Sequence, residues 1–410
     1  MRYHIHTLGC KFNQYESAVM ELELQKAGYK ESDPHEADVI IVNSCAVTGE
    51  ATRKSLQIAR HFKRLNEKAK LVFTGCSVHD KDKIEGFDLV IGNGEKRKIV
   101  ELINKNGIFI DRTYYLKDKL DYSVSSIPKH TRAFLSVENG CSWSCAYCAI
   151  PHFRGTRIRS KPLDLVVKEA TNMIRQGIKE IVITGINIAL YRDGGNDLHA
   201  LLSSLIKIDG NFRIRIGSID PVNLLKLSDL FKNPKLCDHA HLSMQSGSDE
   251  VLKRMKRPYS ADDVRKCVEE LKKVNEFFAF SVDVIVGFPG EKEEEFVQTY
   301  ELLKELEVSR IHVFPFSPRP HTVASTMKNQ VKAYVKRERV KRLRELGEML
   351  KDNFSQKTQN IERTVLVEKV EKGIGEGLDE YYVRHSFKYN GEEGTFVKIG
   401  KKVMIHESVR

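Results

Sequence analysis

The sequence predicts an α/β protein in three parts: an open parallel α/β domain, a partial β/α barrel of six units, and a small antiparallel β-barrel. Three observations carry that expectation. β-branched runs alternate with helical runs over the first hundred or so residues; a second alternating series follows a polar stretch; and the last fifty residues turn to short strands broken by glycines. At 410 residues the chain has room for two or three cores. With 41% hydrophobic and 30% charged residues and no low-complexity tract, it reads as an ordinary globular protein rather than a disulfide-stapled mini-protein.

In the first region, 1–113, YHIHT, DVIIV and KLVFT are separated by NQYESAVMELELQKAG, with its glycine stop, and by a charged helical stretch from about 48 to 68. Strand, helix, strand, helix, strand implies a parallel sheet with helices on its faces. Residues 114–131, YYLKDKLDYSVSSIPKHT, are polar and lack periodicity, which predicts a linker. From 132 to 327 the strands AFLSVE, EIVITG, FRIRIG, HAHLSM, FSVDVIVG and RIHVFPF alternate with helical segments. Six units fit this length, whereas a full eight-unit barrel needs more chain. Residues 328–358 read as one long helix with ten Lys or Arg against four Asp or Glu. In 359–410 the strands VLVEKV, YYVRHS, GTFVKIG and KKVMI read as a small antiparallel barrel.

The formal net charge is +11, which suits a polyanionic partner such as a nucleic acid. No apolar run reaches membrane-spanning length, so no membrane is expected. The opening MRYHIHTLGC lacks the apolar core of a secretory signal, which predicts a cytoplasmic protein. In that reducing compartment the eight cysteines are not expected to form disulfides.

Three of them, Cys141, Cys145 and Cys148, crowd into GCSWSCAYC directly after AFLSVE, at the carboxyl end of a strand where this fold class places its chemistry. A tetrahedral zinc site usually draws four ligands from paired spacings, and here three thiols are followed by no histidine before His152. Iron–sulfur cubanes are held by thiolates, and three protein ligands leave one iron open to a small molecule. Cys10, Cys45 and Cys76 each follow one of the three N-terminal strands. In a parallel sheet those positions share the carboxyl edge, so the three thiols are expected to meet. Cys237 and Cys267 occupy no matched positions and are expected to be structural.

The C-x-x-x-C-x-x-C spacing with Tyr147 before the last cysteine resembles the radical S-adenosylmethionine (SAM) superfamily. That likeness implies a [4Fe-4S] cluster whose open iron chelates SAM and whose reduction releases a 5′-deoxyadenosyl radical. With the second cysteine triad, and with TLGCKFNQYES, TGINIALY, HLSMQSGSDEVLKRMKRPYS, DVIVGFPGE and a C-terminal segment similar to the RNA-binding TRAM domain, the chain resembles the methylthiotransferases over essentially its whole length. The resemblance implies two [4Fe-4S] clusters on the two cysteine triads and two molecules of SAM. It implies that sulfur and a methyl group are inserted at a C–H position. Carried over by position, Thr184, Gly185 and Asn187 fall where the family approaches the SAM amino group. Ser218, Gln245, Ser246, Val286 and Gly287 fall where it holds ribose, carboxylate and adenine, and Tyr147 lies beside the cluster.

Two departures stand out. RGTRIRS has one residue more than expected between its glycine and the following Arg-Ser, which leaves open which of Arg154, Arg157 and Arg159 contacts SAM or substrate, and Ser243 stands where many members carry proline. The family modifies either position-37 adenosines of tRNA, bearing threonylcarbamoyl or isopentenyl groups, or an aspartate of a ribosomal protein. The Gly9-Cys10-Lys11 and Asn13-Gln14-Tyr15-Glu16 opening resembles the threonylcarbamoyladenosine branch. That branch implies the anticodon stem-loop of tRNA as partner, an electron donor such as flavodoxin or ferredoxin, and a monomeric enzyme. A radical SAM enzyme of another type, or a non-catalytic RNA-binding protein on the same fold, remain the alternatives.

Overall fold

The computed structural model describes residues 1–79, 86–124 and 131–400. The N-terminal sheet is parallel throughout and contains β1 (Arg2–Thr7), β2 (Val39–Ser44), β3 (Lys70–Gly75), β4 (Leu89–Ile91) and β5 (Gly107–Phe109), in that spatial order, with the two-residue strand Lys30–Glu31 beside β1. The expected first three strands are present. The additional three are two or three residues long, too short to show a period. Helix α2 (Gly49–Leu65) begins at Thr48, whose hydroxyl accepts the Ala51 amide at 3.1 Å. Its Ala59 and Phe62 bury Val42, Leu71 and Phe73 on one face of the sheet, while Met20 and Leu24 of α1 (Lys11–Lys26) bury Val39, Ile41 and Val72 on the other. Apolar residues on both faces of β2 and β3 are what a covered parallel sheet requires.

All six expected central strands form: β6 (Arg132–Asn139), β7 (Glu180–Gly185), β8 (Arg213–Ile216), β9 (His239–Gln245), β10 (Ala279–Val286) and β11 (Arg310–Pro315). They make two four-stranded sheets. In one, β6, β7 and β8 pair in parallel and Arg159–Ser160 pairs antiparallel with β6; in the other, Ser218–Ile219, β9, β10 and β11 are parallel. The sheets approach one another where Ile214 bridges Leu236. Between the strands run α3 (Leu163–Arg175), α4 (Ala261–Val274) and α5 (Glu293–Leu306). One face of the strands, with Leu135, Ile183, Ile216, Leu242, Val284 and Val313, packs beneath these helices. By the two-residue period of a strand, the other face carries Glu138, Thr184, Arg215, His241, Asp283 and His312.

Helix α6 (Ala333–Thr358) starts five residues later than the sequence suggests. Asn329 has φ +60°, a left-handed conformation that cannot continue into a right-handed helix. Val340, Leu343, Leu346, Leu350 and Phe354 face inward, and Gly347 lets Ile311 of β11 come close. The C-terminal sheet is antiparallel in the order β14 (Arg384–Lys388), β13 (Ile374–Leu378), β12 (Arg363–Glu371), β15 (Phe396–Ile399). YYVRHS enters a strand only from Arg384, and β13 occupies IGEGL, which reads in sequence as a break. A Cβ on Gly377 would lie 1.9 Å from the Leu366 carbonyl, so glycine is what permits that pairing. The expected strand KKVMI at 401–405 lies outside the described residues, as do 125–130 of the expected linker.

The described part of that linker is packed rather than free. Tyr114–Lys117 form a helical turn, Asp118 pairs with Arg159 at 3.2 Å, and the Val124 amide donates to Glu169 at 2.9 Å. The C-terminal sheet is bound to the amino ends of β7 and β8. Arg213 donates to the carbonyls of Thr364 and Leu378, both at 2.9 Å, and Arg215 to those of Asp379 at 2.9 Å and Glu380 at 3.2 Å. Both guanidinium groups also grip the fully buried Glu180, at 2.7 and 3.0 Å. Among the described residues no helix is long and apolar enough to cross a membrane.

Candidate active site

Two loops after strands carry the first triad and its surroundings. Gly140, at φ +97°, turns the chain out of β6; a Cβ there would lie 2.2 Å from the Arg157 carbonyl, so no larger residue closes this turn. The cysteine loop is then tied down by backbone bonds: Cys141 N to Gly155 O at 3.2 Å, Ala146 N to Met255 O at 2.9 Å, and Ala324 N to Ala146 O at 2.8 Å. Cys141, Cys145 and Cys148 are all half-buried and reduced. Burial pushes the Cys148 thiol up to about 12 and raises that of Cys141.

Arg257 supplies one fixed positive charge. Its Nη1 lies 3.3 Å from Cys145 Sγ, and the guanidinium is stacked 4.8 Å from the ring centres of both Trp143 and Tyr259. Nη2 donates to the Ser243 carbonyl at 3.3 Å and hydroxyl at 3.2 Å. Ser243 thus anchors Arg257 at a bulge between Leu242 and Gln245, after which Gln245 takes φ +67°. Tyr147 packs with Met255, Phe288 and Phe316 behind the loop.

On the Cys141 side, Asn187 Nδ2 lies 3.8 Å from Sγ. The Asn187 amide donates to Glu138 Oε2 at 2.7 Å, and a Cβ on Gly185 would lie 2.9 Å from the Glu138 carbonyl. Thr184 is buried next to them, and burial raises the Glu138 carboxyl to about 8, opposed by the Asn187 and Ile186 amides. Glu138 Oε1 is buried with no partner among the described residues. Asn187 is therefore beside the triad, with Gly185 packed on Glu138 next to it, while Gln245 follows the bulge that anchors Arg257. Ser218 is exposed beyond β8. Ser246 is fully buried with its hydroxyl engaged by Thr299 at 3.2 Å and the Ser248 amide at 3.1 Å, and Val286 lies in the core. A Cβ on Gly287, at φ +71°, would lie 2.2 Å from Lys336, and its amide donates to the Glu291 carboxylate.

The second triad occupies the edge expected for it. Cys10 precedes α1, Cys45 follows β2 and Cys76 follows β3. A Cβ on Gly9 would lie 2.8 Å from Cys45 Sγ, and Cys45 is within electrostatic reach of both Cys10 and Cys76. Cys45 and Cys76 are buried and Cys10 is exposed; burial pushes the Cys45 thiol up to about 12. Cys76 packs with Ala46 against Ala149, Ile150 and Phe153, so the second triad abuts the helical turn that directly follows Cys148. Among the described residues no three His, Cys, Asp or Glu side chains converge on a single metal ion. A cubane needs no such convergence, because each thiolate goes to a different iron. Cys237 and Cys267 are buried apart from both triads, Cys237 near Arg215 and Cys267 in the core beneath α4.

The three arginines of RGTRIRS turn toward the N-terminal domain and the described part of the linker. Arg154, fully buried, forms a two-point pair with Glu16 at 2.7 and 2.9 Å, donates to Asn13 at 2.9 Å and lies 4.5 Å over the Phe12 ring. Its charge lowers the Cys45 thiol against the effect of burial. Arg159 binds Asp118, and Arg157 donates to the Leu116 carbonyl. Arg154, left open in sequence as a SAM or substrate contact, is taken up by Glu16, while Arg257 and Glu138 escape a reading for motifs although they belong to the quoted KRPYS and AFLSVE. What marks them is charge taken partly or wholly out of water, which a sequence does not display.

The chain matches the model of the radical SAM superfamily over residues 135–303 and that of the uncharacterized protein family UPF0004 over residues 2–91. It is 41% identical to the threonylcarbamoyladenosine tRNA methylthiotransferase MtaB of Thermotoga maritima, over 99% of this chain and 95% of that protein. It is 36% identical to MtaB of Bacillus subtilis, over 98% and 92%. Against a tRNA-2-methylthio-N(6)-dimethylallyladenosine synthase of Helicobacter pylori the identity is 32%, over 98% and 94%. Among solved structures, the radical SAM methyltransferase TsrM of Kitasatospora setae with a SAM analogue bound superposes with a TM-score of 0.59 at 16% identity, covering 79% of this chain and 75% of that one, a likeness of fold. The matched domains, the near full-length identity and the cysteine-bearing strand ends agree: the chain belongs to the radical SAM methylthiotransferase family.

Proposed function

We propose that this enzyme converts N6-threonylcarbamoyladenosine at position 37 of tRNA to its 2-methylthio derivative, with Cys141, Cys145 and Cys148 holding one [4Fe-4S] cluster and Cys10, Cys45 and Cys76 a second. The observation that carries the reading is 41% identity along 99% of the chain to a threonylcarbamoyladenosine tRNA methylthiotransferase, in a chain whose two cysteine triads adjoin through Cys76 and the turn after Cys148. The barrel cluster and SAM, when bound, supply an electron and a 5′-deoxyadenosyl radical able to take hydrogen from an unactivated carbon such as adenine C2.

The rest is the work of the chain's own residues. Arg257 holds a fixed positive charge beside Cys145 Sγ. Asn187 presents its side-chain amide next to Cys141, and together with Thr184 and Gly185 it is to hold the amino group of SAM. Glu138 keeps that loop closed through the Asn187 amide. Arg154 and Glu16 clamp residues 1–113 onto the barrel of 132–327, so that the two triads keep their separation. The exposed basic face of α6 and the C-terminal sheet, read as a TRAM-like domain over 359–410, are to grip the anticodon stem-loop through phosphates. A flavodoxin- or ferredoxin-type donor is to supply the electrons.

Mass spectrometry of tRNA nucleosides from a strain lacking this protein tests the reading. 2-Methylthio-threonylcarbamoyladenosine should vanish while threonylcarbamoyladenosine accumulates. Loss of the methylthio-isopentenyl nucleoside instead would reassign the substrate.

A further inference from the structure

The six barrel strands bury one face in the core and leave the other polar. Charges on that polar face are largely satisfied. Glu180 is held by Arg213 and Arg215, whose other donors go to carbonyls of the C-terminal sheet, and His241 Nε2 lies 2.9 Å from Asp283 Oδ1. The His312 ring stands 5.2 Å from that of His241.

Lys11 reaches this face from the first residue of α1. It is half-buried and lies within electrostatic reach of Arg215, Glu180 and Asp283, and of His312. Yet it donates no side-chain hydrogen bond and pairs with no carboxylate among the described residues. A partly desolvated ammonium with no partner is unfavourable in the free protein. It becomes favourable when an anion arrives. On the same face Phe314 is 40% exposed, two residues beyond His312 and about 7 Å further along β11 toward the cysteine loops. An exposed aromatic ring beside polar groups is a surface on which a nucleobase stacks.

We infer that this face receives the modified base, with Lys11 pairing with the carboxylate of the threonylcarbamoyl group and Phe314 stacking on the adenine. The inference rests on the substrate proposed above. A threonylcarbamoyl group carries a carboxylate and a dimethylallyl group none, so Lys11 selects the first and is left unpaired by the second.

The test is binding of anticodon stem-loops to the anaerobically reconstituted enzyme, using threonylcarbamoyladenosine at position 37 as the free acid and as its methyl ester. The wild-type enzyme should bind the acid about ten- to a hundredfold more tightly than the ester, the usual worth of a charged hydrogen-bonded contact. Lys11→Met should bind the two alike, and Lys11→Arg should keep the preference. Phe314→Ala should weaken both forms together. Lys11→Met that still prefers the acid, or that weakens acid and ester equally, overturns the assignment; the second result is that of a phosphate contact or a folding defect. Unchanged binding by Phe314→Ala overturns the stacking. Should the wild-type enzyme bind the threonylcarbamoylated stem-loop no better than an unmodified one, it is the proposed substrate that fails.

Discussion

Arg257 and Arg154 put a positive charge beside each cysteine triad, the first half-buried and the second fully buried. Arg257 is stacked between Trp143 and Tyr259, with Nη1 at 3.3 Å from Cys145 Sγ. Donors to a cluster sulfur raise its reduction potential. Arg257→Met should therefore make the barrel cluster harder to reduce, read as a lower midpoint in a potentiometric titration followed by electron paramagnetic resonance; an unchanged midpoint would remove this role. Arg154 works through Glu16. Burial alone would raise that carboxyl, but Arg154 and Lys96 hold it at about 2, against 4.5 for a free glutamate. The ionised form is then the one that stabilises the fold: its contribution is complete above pH 4.5 and is lost as pH falls through about 2. Glu16→Gln should cost about 3 kcal/mol at neutral pH and flatten the acid limb of the stability curve. Urea unfolding at several pH values measures both, and an acid limb unaltered by the substitution would contradict the ion-pair account. Cys141, Cys145 and Cys148 were legible in sequence because their spacing is local, and Cys10, Cys45 and Cys76 because each follows a strand. The pairing of Arg154 with Glu16 was not, since 138 residues separate them and only the fold makes them a pair.

At the scale of elements, α6 shows how far a charge count reaches. Its excess of basic residues is plain in the sequence, but which of them face outward depends on the stripe Val340, Leu343, Leu346, Leu350 and Phe354 that packs inward. Arg339 is consumed by Glu291 and Glu293, and Arg342 by Glu293 and Glu338. Arg337 and Arg344, seven residues apart, are exposed and form no ion pair among the described residues. The paired charge reversal Arg337→Glu, Arg344→Glu should weaken tRNA binding at low salt and reduce the slope of log affinity against log salt by about two. A slope equal to wild type would show that this face does not meet the phosphates. The six central strands were legible from their alternation, whereas β13 was hidden because Gly375 and Gly377, which admit neighbouring strands at close range, are the residues that signal a break.

The whole molecule places two sites with separate cysteine triads against each other and closes the amino ends of the barrel strands with the C-terminal sheet. Glu180, Arg213 and Arg215 make that closure, and nothing in their sequence context announces it. Because, of the two triads, only that of Cys141, Cys145 and Cys148 lies in the segment matching the radical SAM superfamily, substitution of Cys10, Cys45 or Cys76 by alanine should leave formation of 5′-deoxyadenosine and abolish the methylthiolated product. Normal product from these variants would make the N-terminal site structural. The most direct measurement offers the purified, reconstituted enzyme, with SAM and reductant, two tRNAs, one threonylcarbamoylated and one isopentenylated at position 37, and follows the nucleosides by mass spectrometry. The account predicts a 2-methylthio product on the threonylcarbamoylated tRNA alone; methylthiolation confined to the isopentenylated tRNA would contradict it.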